Sequence, residues 1–511
     1  MKERLKTIQE KLGHVSEKMK KGYQSFCEKG RETNDGFLSW FHKHDVTIYL
    51  VIITLLALVM RALLFPCVRG DYTAFLLPWY RNIYLKGTSA LGEQFGDYTP
   101  AYNYFLYLIS LFGFVPGETY QVGELVVDPV LWEIKTISCA FDFGIAIFVY
   151  FLAKELTGSR LKSVLCYAAT VFGLTVFLNS SLWGQCDAIY VFFLIGALYF
   201  LLKKKQPLSF FFLGLSFCFK LQAIFFLPGL LVLYFKKQVK LRYFLLIPVV
   251  YLIVALPAAF ASADFFGRLG QIFMVYPNQM VHGYDQLTLN AGTFYALIFT
   301  NFKGEEYISI FALFLCVVTN GTLIFLLQRY KRPFGEKDIV KMFFLFAMTM
   351  PYFMPHMHER YFYLADILVI LYVLINAKRF YVYFLAMANS MIGYMVYLWN
   401  VPFFNVVPQD GEITDGTKAL SFRLGAIFYL LAITFVLKDL FSEFNKEEKE
   451  YEKERLASET PAEPVTIEGQ RGRGAKSFKS FSASRWYLKS SNENGTPLPV
   501  PSEFRMADAN L

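Results

Sequence analysis

Long apolar runs recur along this chain, separated by short loops that end in Lys or Arg; Val51–Phe65, Phe143–Leu152 and Phe422–Leu437 are examples. In hydrocarbon every peptide N–H and C=O must find its partner inside the protein, and a helix does this within one segment. The expected fold is therefore all-α: a polytopic membrane helical bundle. With 55% of its 511 residues hydrophobic and 18% aromatic, the chain is too apolar for a soluble protein of this length. No cleavable signal peptide is expected, because the first apolar run starts only near Val46, after a stretch rich in Lys and Glu.

The distribution of charge orients the bundle. The net charge of +9 is spread over loops and tails instead of one patch, so no nucleic-acid partner is expected. Lys2, Arg4, Lys6, Lys11, Lys18, Lys20, Lys21, Lys29, Arg31 and Lys43 put segment 1–45 in the cytoplasm, and a first span near 46–66 leads outward. The outer segment 67–132 carries Asp71, Asp97, Glu118, Glu124 and Asp128 against few basic residues. Within it, Tyr102–Phe114 is apolar but short. Were it to cross, Lys154, Arg160 and Lys162 would lie outside, so it reads as a helix in the interface.

A second span over 133–153 then returns inward, and the later basic clusters fall inside: Lys203–Lys205, Lys236–Lys240, Arg329–Arg332 and Lys378–Arg379. Pro207–Phe235 is basic at both ends, which makes it a hairpin of two short helices with its apex near Lys220. The total is about twelve spans. The transmembrane domain is expected over 46–441, and 442–511 reads as a cytoplasmic helix fraying into a largely disordered, solvated tail. Seven Cys without a CxxC pair, including Cys139, Cys166, Cys218 and Cys316 in apolar runs, read as small core residues.

Ionisable groups at helix ends and within spans are the informative ones in a bilayer protein, since burying them costs free energy that usually only function or pairing offsets. This topology gathers Asp71, Asp97, Asp187, Lys220, His282, Asp285, His356, His358, Glu359 and Arg360 at the outer ends of helices. Asp71, in Arg69-Gly70-Asp71-Tyr72, is a candidate general base; a helix cap or a surface charge is the plain alternative. Asp97 precedes Thr99-Pro100 and reads as an N-cap of the interfacial helix that also faces the site. Asp187, itself a possible cap, follows Trp183-Gly184-Gln185, and Trp with Gln is a common sugar-contacting combination.

Of six His in the chain, His356 and His358 stand beside Glu359 and Arg360. These could ligate a divalent metal, but the i, i+2 spacing is not the i, i+4 pair of a helical zinc site, so no metal or other cofactor is expected. Phosphate suits them better, because Arg offers forked donors and both residue types can carry positive charge. A salt-bridged turn is the structural alternative.

Four segments together resemble the GT-C glycosyltransferases, in particular the dolichyl-phosphate-glucose-dependent glucosyltransferases of N-glycan assembly and bacterial relatives of the GPI mannosyltransferases. They are Gly70-Asp71-Tyr72, Asp97–Tyr102, Leu182–Asp187 and His358-Glu359-Arg360, covering about residues 46–380. Family members often have His-Glu-Lys where this chain has Arg360, and a double Pro where it has Thr99-Pro100. The resemblance implies a GT-C fold with interfacial helices in the first outer loop. It also implies Asp71 as catalytic base toward the acceptor hydroxyl, and His358 and Arg360 near the donor phosphate. Asp97, Trp183, Gln185, Asp187, Lys220, His356 and Glu359 are the remaining candidate substrate-binding residues.

The activity so implied is transfer of a hexose, with inversion, from a polyprenyl-phosphate donor to a lipid-linked or cell-envelope glycan. The protein would be multi-pass in a bacterial plasma membrane, with both termini cytoplasmic, membrane lipid around it and the site outside. The rival expectation is a transporter or flippase for a glycolipid, which places charges near the bilayer midplane.

Overall fold

The computed structural model describes residues 13, 16–25, 37–282, 286–298, 306–399, 401 and 415–459. One compact unit extends to Glu454, and of a second, starting at Arg455, only the end of a helix is described. The chain is helical nearly throughout. Its elements in order are α1 (Phe37–Leu64), α2 (Leu77–Lys86), α3 (Pro100–Ser110), a hairpin of β1 (Tyr120–Val122) and β2 (Leu125–Val127), α4 (Pro129–Thr157) and α5 (Arg160–Val171). Then come α6 (Leu174–Phe177), running into a π-helical turn at Leu178–Trp183, and α7 (Asp187–Leu202), α8 (Gln206–Phe219), α9 (Leu227–Phe235), α10 (Leu246–Phe260) and α11 (Phe265–His282). The two-residue strands β3 (Thr288–Leu289) and β4 (Met357–His358) pair in parallel across α12 (Glu306–Gln328) and α13 (Glu336–Phe353). Last are α14 (Tyr363–Ile375), α15 (Phe380–Trp399) and α16 (Asp415–Glu459).

Among the described residues six helices are long and apolar enough to cross a membrane, and seven if the pair α5–α6, bent by 44°, makes one span. The chain is thus a polytopic helical membrane protein. The hairpin expected around Lys220 is present as α8, a 3-10 turn Leu221–Phe226 and α9, with Lys220 in extended conformation at the break. These and α7 are apolar but shorter than the six long helices.

Contacts between loops show which helix ends lie together. Lys203 pairs with Glu155. Gln206 donates to the Gln238 carbonyl (2.7 Å), Lys236 to that of Tyr330 (2.6 Å), and Arg332 and Arg379 pair with Glu447 and Asp439. The basic clusters from Lys203 to Arg379 therefore sit at one end of the bundle, as the charge pattern predicts. The turn from α4 into α5 belongs there too: Gly158 closes α4 with φ +66° and Ser159 Oγ accepts from the Lys162 N–H (3.3 Å).

α16 runs through the boundary expected at 442 to Glu459 as one helix. It continues because Phe444 is fully buried and Glu443, Glu447 and Glu452 face Lys341, Arg332 and Lys331. The rest of the expected tail lies outside the described residues.

At the opposite end the first loop folds on its own small core of Tyr72, Tyr80, Ile83, Tyr102, Leu106, Val130 and Ile134, all buried. At about 1.5 Å per residue α3 (Pro100–Ser110) is about half as long as a hydrocarbon core is thick. Asp128 caps α4, accepting from the Leu131 N–H (3.2 Å) and the Tyr72 hydroxyl (2.7 Å). In the centre, α13 from Asp338 to Tyr352 and α14 from Tyr363 to Tyr372 are buried on every side.

Candidate functional site

Asp71 opens a short π-helical segment, Tyr72–Leu76, seven residues after α1 ends. Its side chain is half-buried and accepts three hydrogen bonds. Trp183 Nε1 (3.0 Å) and Gln185 Nε2 (2.5 Å) donate to Oδ2, and the Tyr397 hydroxyl to Oδ1 (2.6 Å). All three donors are neutral, so they orient the carboxylate without neutralising it. Trp183 and Gln185 can meet one oxygen because Gly184 between them adopts φ +82°, a left-handed turn that suits glycine.

The indole of Trp183 is fully buried, packed against Tyr397 (4.7 Å between centroids) and Tyr394 (5.5 Å), with the Arg360 guanidinium over it at 5.3 Å. Through that indole the Asp71 shell reaches a second cluster. Asp187, the first residue of α7, pairs with Lys220 (Oδ1 to Nζ 2.5 Å), both out of solvent. Asn179 Nδ2 donates to Asp187 Oδ2 (3.0 Å) and Arg360 Nε lies 3.8 Å from it. The Lys220 ammonium also faces the rings of Tyr98 (5.5 Å), Tyr361 (5.6 Å) and Tyr190 (6.0 Å), a cation–π setting.

Arg360 donates from Nη1 to Glu359 Oε1 at 3.4 Å. Its contacts to Glu359 and Asp187 are longer than the roughly 2.7–2.9 Å of a full charge-assisted bond, and its Nε makes no hydrogen bond. The fork is held but not saturated. Burial works against its charge, yet Tyr361, Glu359 and Asp187 together hold its pKa well above the ordinary value. His358 Nδ1 lies 3.8 Å from Glu359 Oε2; burial, then the neighbouring Arg360, hold His358 below its usual pKa. Arg360 therefore keeps its charge, while His358 is neutral at neutral pH.

The structure thus brings Asp71, Trp183, Gln185, Asp187, Lys220, His358, Glu359 and Arg360 into one contiguous cluster. Asp97 is placed differently from its expected role. It is exposed, and the N-cap position of α3 belongs to Thr99, whose hydroxyl donates to the Cys218 carbonyl and accepts no helix N–H. The Asp97 backbone carbonyl accepts from Gln279, and it is the next residue, Tyr98, that meets Lys220. His356, at φ +60°, is tied to another segment: its N–H donates to the Leu287 carbonyl (2.8 Å) and its ring Nδ1 meets that of Gln286 (2.7 Å). The His282 side chain and Asp285 lie outside the described residues. Among the described residues, no three His, Cys, Asp or Glu side chains come together as a metal site.

Three groups escape the sequence reading. Tyr397, deep in an apolar run, carries no signal at all. Arg61 and Asp142 form a buried pair (3.0 Å) that Ser180 (2.5 Å) and Tyr363 (3.0 Å) complete. Lys135, fully buried, donates to the carbonyls of Leu64 (3.2 Å), Phe65 (3.0 Å) and Cys67 (2.6 Å). Arg61, Asp142 and Lys135 are ionisable residues inside apolar spans, and that alone could have marked them. Scanned against models of known protein families and searched against curated proteins, the chain matches none.

Proposed function

We propose that the protein is an inverting membrane glycosyltransferase of GT-C type, taking a hexose from a polyprenyl-phosphate donor to a lipid-linked or cell-envelope glycan on the outer face. The observation that carries this reading is Asp71: a carboxylate fixed by three neutral donors at a helix end, with an unsaturated Arg360 fork one indole away. In the reaction the acceptor hydroxyl oxygen bonds to the anomeric carbon, its proton passes to Asp71, and the bond from that carbon to the phosphate oxygen breaks. The departing lipid phosphate keeps the electron pair, and Arg360 stabilises its charge, Lys220 adding to the field. A single displacement inverts the anomeric centre. On this reading α7, α8, α9, α13 and α14 also cross, bringing the seven longer spans to about twelve.

The test is transfer by purified protein from a short-chain polyprenyl-phosphate hexose to extracted glycolipid, read by mass spectrometry as the gain of one hexose. Asp71→Asn keeps the shape of the side chain and removes the base; it should abolish transfer while the protein stays monodisperse. Retention of more than a few per cent of the rate would make Asp71 structural. The Arg61–Asp142 pair between two spans favours the second reading, a glycolipid transporter or flippase. That reading requires labelled glycolipid to cross vesicles with no change in mass.

A further inference from the structure

Lys135 lies outside the cluster just described, yet its contacts reach both sides of the Asp71 shell. It sits in the second turn of α4, fully buried, and its ammonium takes three backbone carbonyls, those of Leu64, Phe65 and Cys67. These close the C-terminal end of α1. The last carbonyls of a helix have no partner within it and carry the negative end of its dipole, so an ammonium there is both donor and counter-charge. Asp71 follows Cys67 by four residues.

The stem of the same side chain runs beneath the Trp183-Gly184-Gln185 turn. A Cβ placed on Gly184 would lie 3.6 Å from Lys135 Cγ and 3.7 Å from Cε, ordinary van der Waals contact. Gly184 is the hinge that turns Trp183 and Gln185 toward one carboxylate oxygen. One residue therefore fixes the segment that carries Asp71 and supports the turn that grips it. We propose that Lys135 is a positioning residue that sets the carboxylate of Asp71 against its three donors. A helix end alone does not require a buried ammonium, since glycine or water commonly serves there.

The consequence for turnover rests on the glycosyl-transfer reading, but the geometry can be tested without it. The Trp183 indole N–H donates to Asp71, so its 1H–15N resonance reports that hydrogen bond. In 15N-tryptophan-labelled protein in detergent, Trp183→Phe assigns the peak and Asp71→Asn shows where it moves when the carboxylate is lost. Lys135→Met keeps the stem and removes the ammonium. It should shift the Trp183 peak toward the Asp71→Asn position, and lower kcat at least tenfold with the donor KM within about twofold. Lys135→Arg should restore both in large part.

A purely structural cap would lower Tm in Lys135→Met and leave the peak and kcat unchanged, which overturns the proposal. If Lys135→Met does not fold, Lys135→Gln, which retains amide donors, takes the same readout; an unmoved peak there also overturns it. Should wild-type protein transfer no sugar, the functional reading fails alone, and the indole shift still decides the role of Lys135.

Discussion

Arg360 and His358 are neighbours with opposite fates. The guanidinium keeps its charge in a buried setting because carboxylates flank it, while the imidazole beside it stays neutral. If the Arg360 fork takes the donor phosphate, Arg360→Lys should weaken donor binding modestly. Arg360→Ala should weaken it by about 1.5–3 kcal/mol, the scale of a hydrogen bond between charged groups. Titration with a short-chain polyprenyl-phosphate hexose measures both, and unchanged affinity in a stable Arg360→Ala protein would leave a plain salt bridge. His358 gives a separate expectation. As pH falls through about 6.5 the unfolded chain protonates this imidazole and the folded one does not, so its contribution to stability is present above that pH and lost below it. Thermal unfolding from pH 7 down to 5.5 should show a steeper fall for wild type than for His358→Gln. Equal slopes would mean that His358 takes up its proton over the same pH range folded and unfolded.

At the scale of elements, the π-helical turn Leu178–Trp183 is a distributor: Asn179 serves Asp187, Ser180 serves Asp142 and Trp183 serves Asp71. A regular α-helical turn would direct these side chains differently, since the wider turn re-phases them. α15 matters through close approach. A Cβ at Gly393 would fall 2.5 Å from Glu359 Cβ and 2.8 Å from the Asn290 carbonyl oxygen. Gly393→Ala should therefore cost about 1–3 kcal/mol, the usual penalty of overpacking, and loosen donor binding by shifting Glu359 from Arg360. Thermal unfolding and donor titration check both, and wild-type values would show that α15 yields freely.

Several of these elements were legible in the sequence. Lysines at both ends of Pro207–Phe235 required the hairpin, and the basic loops were expected to gather at one end of the bundle. Asp187, Lys220 and Arg360 stood out because charges at span ends have few bland explanations. The π-turn and Tyr397 left no trace, since one depends on backbone phasing and the other on a partner 326 residues away. Asp97 misled because a carboxylate before Thr-Pro resembles a cap, whereas the backbone begins its helix after Thr99.

Over the whole molecule, the basic loops gather at one end and the Asp71 cluster lies at the other ends of the same helices. A single Cys placed at Glu124 should accordingly react with an impermeant maleimide only from outside, and one at Lys240 or Lys378 only from the cytoplasm. Labelling of Glu124→Cys from the cytoplasm alone would invert the orientation and remove the site from the outer face. In the most apolar window of the first span, α1, only 11% of the residues are buried. Besides apolar contacts through Leu50, Ile53, Ala57 and Leu64, mainly to α5 and the π-turn, and the Thr54–Tyr167 contact, it is anchored by Arg61 to Asp142 and by Lys135 at its end. Both of those anchors belong to α4, which is synthesised later. While the ribosome is still making the first loop, Arg61 lacks Asp142, and its charge favours reaching toward the headgroups. Docking of α1 thus waits for the next long span to enter the bilayer, and only then does the segment bearing Asp71 acquire a fixed place.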